Sequence, residues 1–219
     1  MSTRSAFESE MRSLEDRLRA MADQVGAAVD QATRSLVEND SALARRIIEG
    51  DEVINRLWAN LQRDILEIIA RQQPLASDLR EILAISAIIT DLERIGDHAK
   101  RIAVTALEIA DDPPTEPFVD IPRMALLACS LLQGQVDAFL QRDSQSARSI
   151  AVRDNEIDAL YRKCYSDLLA DMRADPATID RGSKLMWTAK SIERIGDHVT
   201  NIGEWVVFLE TGQLVELNA

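Results

Sequence analysis

The hexapeptide Glu93-Arg94-Ile95-Gly96-Asp97-His98 returns letter for letter as Glu193-Arg194-Ile195-Gly196-Asp197-His198. Each copy sets two carboxylates four residues apart, about one turn along one face of a helix. There like charges repel by roughly 0.2–0.5 kcal/mol unless a cation stands between them. The glycine inside each copy costs a further ~1 kcal/mol relative to alanine in a helix. Both penalties, kept twice in one chain, point to a use. A second pair of polar stretches also agrees: Gly50-Asp51-Glu52-Val53-Ile54-Asn55 aligns with Arg153-Asp154-Asn155-Glu156-Ile157-Asp158. Asp51 with Asn55 and Asp154 with Asp158 are again oxygen-bearing groups four apart. Hard cations take oxygen ligands, so such sets suit magnesium, manganese, calcium or iron better than zinc, whose structural sites usually need thiolate or imidazole.

The competing reading is that the acids are solvated on an outer face, as charged residues usually are. The helix around the first motif is apolar on nearly every side, with Ala87, Leu83 and Ile82 about two and three turns earlier. A helix of that kind is normally covered, and a carboxylate under cover needs a counter-charge. Arg101 would supply it to Asp97. Its counterpart is Asn201, which leaves Lys190 as the substitute in the second copy. His98 and His198 fall five residues after the glutamates and read as structural or surface imidazoles. Trp58, Trp187 and Trp205 read as core or interface anchors.

The positioning elements follow from apolar spacing. Ile85, Ile88, Leu92, Ile95, Ala99, Ile102, Ala106 and Ile109 are answered by Leu185, Thr188, Ile192, Ile195, Val199, Ile202, Val206 and Leu209, a three-and-four rhythm of packed helices. In order, the spacing predicts a helix from about Ser5 to Val37, a second after Asp40-Ser41 ending before Pro74, and a third to about Ala110. Residues 111–122, with Pro113, Pro114 and Pro117, form the linker. The pattern then restarts: a helix to about Arg142, one from Asp143-Ser144 to Arg173, a break at Pro176, and a last helix to Glu210 with Gly212 as its stop. The chain is therefore all-α, two tandem three-helix bundles over 1–110 and 123–219.

Composition agrees, with only 8 glycines and 6 prolines available for turns. A net charge of -12 argues against nucleic acid and against anionic membrane surfaces as partners. No apolar run approaches the roughly 20 residues of a spanning helix, and the N-terminal stretch lacks a secretory core, so the expected location is the cytoplasm. Cys129 and Cys164 have no metal-type spacing and read as reduced core thiols. Trp205 to Leu209 is too continuous an apolar run to be covered on one side, so a homodimer or contact between halves is expected to bury it.

These residues resemble the PhoU phosphate-signalling regulators, through the two repeats and the paired motifs at 93–97 and 193–197. Gln72-Gln73-Pro74, Ala76-Ser77-Asp78-Leu79-Arg80 and Ser191-Ile192 are also similar to that family. The resemblance implies a cytoplasmic, dimeric adaptor between a phosphate ABC transporter and a sensor histidine kinase, a negative regulator of the phosphate regulon and not an enzyme. It also implies divalent or ferric ions (magnesium, manganese, iron or zinc) held by Asp51, Asn55, Glu93, Asp97, Asp154, Asp158, Glu193 and Asp197. Asn55 is a weaker ligand than aspartate. A carboxylate-bridged metal enzyme is disfavoured because neither Glu93 nor Glu193 has histidine three residues on. The remaining alternative is a metal-free helical scaffold whose acids make salt bridges to Arg94, Lys100 and Arg101.

Overall fold

A computed structural model describes residues 3–112 and 120–217. Its helices are α1 (Thr3–Val37), α2 (Ser41–Gln72), α3 (Ser77–Glu108), α4 (Asp120–Gln141), α5 (Ser144–Val152), α6 (Asp154–Ala174) and α7 (Ile179–Thr211). A short 3-10 turn, Pro176–Thr178, precedes α7, and no strand occurs among the described residues. The proline-rich stretch of the expected linker lies outside the described residues.

The two repeats begin their second helix with the same device. The carboxylates of Asp40 and Asp143 accept the N–H of Leu43 at 2.9 Å and of Ser146 at 3.0 Å, each satisfying an orphan donor of the first turn. The residues just before them, Asn39 (φ 55) and Arg142 (φ 56), turn the chain in the left-handed region. At the other end of the molecule Gly212, at φ 73, closes α7 by donating to Phe208 O.

One expected helix is two. The second helix of the second repeat breaks at Arg153 into α5 and α6, whereas α2 runs unbroken through the matching Gly50. At the break the bonds shorten to a three-residue span, Arg153 N–H to Ile150 O and Glu156 N–H to Arg153 O. Asn155 then donates its side-chain amide to the freed Val152 carbonyl at 3.0 Å, the local competition with the helix ladder that asparagine favours.

α3 and α7 run antiparallel across the middle. Arg80, near the start of α3, reaches Leu209 O near the end of α7, and Arg181, at the start of α7, reaches Ile109 O past the end of α3. Their apolar seams are buried as the spacing predicted: Ile88, Leu92, Ile95, Ile192 and Ile202 are all inaccessible or nearly so, within one continuous cluster drawn from both repeats. Gly96 and Gly196 admit the second helices closely; a methyl at Gly96 would lie 3.2 Å from Ile54. Among the described residues no helix is long and apolar enough to cross a membrane.

The Trp205–Leu209 run is covered in part by contact between halves. Val206 and Val207 are buried, Trp205 packs edge-on against Phe208, and the Arg80 guanidinium of α3 lies over the Phe208 ring. Trp58 is half-buried and donates to Thr90 Oγ1. Trp187 is not a core residue: it stands 73% exposed on α7.

Both cysteines are free, Cys164 buried and Cys129 half-buried. Burial pushes each thiol up to about 11, so the reactive thiolate is scarce at neutral pH. The native protein is expected to give almost no reaction with a thiol reagent at pH 7.5, and two equivalents in denaturant. Rapid labelling of the folded chain would show that these helices open.

Candidate metal centres

In the first repeat α2 turns Asp51 toward α3, where it is only 4% exposed. Asp51 Oδ2 accepts the Lys100 ammonium at 2.8 Å and the Asn55 amide at 3.1 Å. The hydrogen bond to Asp51 raises the lysine above its ordinary range, which keeps it charged. Asp51 Oδ1 and Asn55 Oδ1 are buried with no hydrogen-bond partner. On α3, burial first and then the neighbouring Asp97 raise the Glu93 carboxyl above its ordinary value; Arg94 opposes this and Asp51 adds to it. Asp51, Glu93 and Asp97 therefore feel one another across the α2–α3 contact. Arg94 lies 3.5 Å from Glu93 and 3.9 Å from Asp97. The counter-charge expected from Arg101 thus comes from Lys100 and Arg94 instead; the Arg101 side chain bears on His98.

In the second repeat Asp154 opens α6, 5% exposed, with its carboxylate against the Gly196 backbone of α7. Lys190 does serve as a counter-charge, 2.5 Å from Glu193 Oε1, while Arg194 holds Asp197 at 2.9 Å. Asp158 has Arg162 at 3.7 Å, the guanidinium largely open to water and the carboxylate half-buried. Glu193 Oε2 and Thr200 Oγ1 are buried with no hydrogen-bond partner.

The eight residues read from the sequence thus lie four per repeat on neighbouring helices, and the donor chemistry of each set suits a hard cation. Orphaned buried oxygens at Asp51, Asn55, Glu193 and Thr200 fit the same chemistry, because such atoms are costly unless a ligand satisfies them. As the side chains stand, no three histidine, cysteine, aspartate or glutamate groups among the described residues converge closely enough to hold an ion. Lysine and arginine groups stand beside the carboxylates, and ligation would need those side chains to give way.

Between the repeats lies a polar seam that the sequence reading did not assemble. His198 Nδ1 is 2.8 Å from Asp91 Oδ1, and Asn201 donates to the same oxygen at 3.3 Å. The rings of His98 and His198 lie 5.8 Å apart, so the two motif copies meet where α3 and α7 cross. Burial, then His198 and the guanidiniums of Arg101, Arg194 and Arg94, push His98 down to about 4, and it is neutral at physiological pH. Beside them a cleft of about 420 Å³ is lined by Arg194, Asp197, His198, Thr200, Asn201, Glu204 and Glu216. Residues after α7 fold back over this cleft, the Leu217 N–H donating to Glu204 Oε1 at 2.9 Å. The available signal was Asp91 itself, two turns before His98 on the same face of α3.

The PhoU domain matches residues 18–106 and 121–206, one copy per repeat. The phosphate-specific transport system accessory protein PhoU homolog of Pseudomonas putida is 37% identical over 207 residues, 94% of this chain and 81% of that one. The homolog from Rhizobium meliloti is 37% identical over 209 residues, covering 95% of this chain and 88% of the relative. The crystal structure of PhoU from Pseudomonas aeruginosa superposes with a TM-score of 0.90 at 35% identity, over 94% of this chain and all of that one. The phosphate transport system regulatory protein PhoU from Streptococcus pneumoniae gives 0.89 at 30% identity, over 95% of this chain and 99% of that one. With both repeats matched and the whole helical order shared, the chain belongs to the PhoU domain family.

Proposed function

We propose that this chain is a regulatory accessory protein of a phosphate-specific ABC transporter, acting through protein contacts in the cytoplasm rather than by catalysis. Its signalling partner is a sensor histidine kinase, and its effect is to hold the phosphate-starvation response off when phosphate is plentiful. The observation that carries this reading is similarity over nearly the full length to accessory and regulatory proteins of phosphate transport. The acidic surface supports it, since a chain of net charge -12 has no electrostatic footprint for DNA and would act on gene expression indirectly. Homodimerisation belongs to the same proposal, as does binding of divalent or ferric ions by the two acidic clusters. A metal-free scaffold remains the second reading, favoured by one observation: Lys100 already brings a positive charge to Oδ2 of the buried Asp51.

The test is deletion of the gene in its own host, with a phosphate-starvation promoter driving a reporter in phosphate-rich medium. The expected result is reporter expression at starvation level, restored to silence by the intact gene. A deletion strain that stays silent would refute the regulatory role, and a sequence-specific shift of promoter DNA by the purified protein would refute its indirect action.

A further inference from the structure

We infer that the two acidic clusters are not equivalent: in the first repeat Lys100 takes the place of a bound cation, and metal is held in the second repeat alone. The inference rests on the metal reading above and narrows it from both clusters to one. On α3, Glu93, Asp97 and Lys100 share one face at spacings of four and three, and on α7 the same stripe reads Glu193, Asp197 and Thr200. The substitution falls at the position that matters electrostatically. Lys100 reaches across to the deeply buried carboxylate of α2, 2.8 Å from Asp51 Oδ2, and brings a full positive charge to it.

At the matching place in α7 there is a hydroxyl, and it is the odd one. Thr200 is 2% exposed and its Oγ1 has no hydrogen-bond partner. A buried hydroxyl left so is costly, and a cation between α6 and α7 would satisfy it. The donor sets differ in the same direction. The first repeat offers Asp51, Glu93, Asp97 and the neutral Asn55, while the second offers Asp154, Asp158, Glu193 and Asp197. One more negative charge, with a single ammonium in each set (Lys100 on Asp51, Lys190 on Glu193), favours a hard divalent cation in the second cluster. Lys190 does not undo this. It is one-third exposed, pairs with Glu193 Oε1 and lies over the Tyr161 ring, and it leaves Glu193 Oε2 buried without a hydrogen bond, with Arg194 3.9 Å away.

The experiment uses full-length protein stripped with chelator, equilibrated with manganese(II) alone, desalted and assayed for metal per chain. Wild type is expected to retain manganese, Asp197→Asn to lose it, and Asp97→Asn to keep it. Thr200→Lys should lose it as well. Lys100→Thr should retain additional manganese, and manganese should raise its melting temperature further than that of wild type. Should Thr200→Lys fail to fold by circular dichroism, the Asp97/Asp197 pair and Lys100→Thr decide the matter. Equal losses from Asp97→Asn and Asp197→Asn, or no added metal in Lys100→Thr, would overturn the asymmetry while leaving metal binding intact. Absence of retained manganese from every protein would overturn both.

Discussion

Gly196→Ala is expected to destabilise the protein by about 2 kcal/mol, whereas Gly96→Ala, the same change in the same hexapeptide, should stay within ~1 kcal/mol of wild type. Two terms compete at each position. Alanine is the better helix former by about 0.8–1.0 kcal/mol, which favours both variants equally. Against it stands the space the methyl enters. At Gly96 the nearest atoms are the Ile54 methyls at 3.2 Å, the far end of an aliphatic side chain that can shift by a few tenths of an ångström. At Gly196 the methyl would overlap Asp154 Oδ1, and Ile157 stands behind it. That carboxylate belongs to a residue only 5% exposed at the first position of α6, so it cannot swing freely into water. Overpacking of this kind costs roughly 1–3 kcal/mol, and displacing a buried charge from its surroundings adds to it. Urea melts of the two variants would measure the difference. Equal stabilities would mean that the α6–α7 contact is looser than the close approach of Asp154 to Gly196 implies.

That contrast also shows which parts of this molecule were legible in its sequence. The seams of α3 and α7 were, because helical burial repeats every three or four residues and isoleucine, leucine and valine mark it directly. So were the Asp40 and Asp143 caps, whose chemistry is local. What failed required knowledge of a neighbouring helix. Searching along α3 for a counter-charge to Asp97 selected Arg101, one turn on, whereas Lys100 finds its partner across the gap on α2. The Asp91–His198 contact was further out of reach, since it depends on α3 and α7 lying antiparallel with a particular register between repeats. The break at Arg153 depends on Asn155 competing for Val152 O, a choice that any periodic apolar pattern passes over. Trp187 shows the limit from the other side: aromatic size and helical spacing pointed to a core or an interface anchor without choosing between them, and in the single chain the residue stands 73% exposed, outside the core.

Phe139→Ala is expected to have the largest effect of any substitution considered, a loss of about 3–5 kcal/mol, the usual range for truncating a fully buried phenylalanine. Phe139 is inaccessible to solvent on α4, and it belongs to the hydrophobic cluster that runs unbroken from Phe7 in the first repeat to Val206 in the second. Its surroundings have little freedom to collapse into the cavity. Immediately after it the chain is fixed by Arg142 N–H to Phe139 O and Asp143 N–H to Ala138 O, and Arg142 then pairs with Glu15 of α1 and Glu81 of α3. For a chain of this size each kcal/mol moves the melting temperature by roughly 2–4 °C, so a shift of about 10 °C is expected. The form of the transition matters as much as its position. Because α3 packs on α7 through the shared core, the variant should still melt in a single step, with both repeats lost together. Two resolved transitions, one at the wild-type temperature and one lowered, would show instead that the first repeat stands without the second.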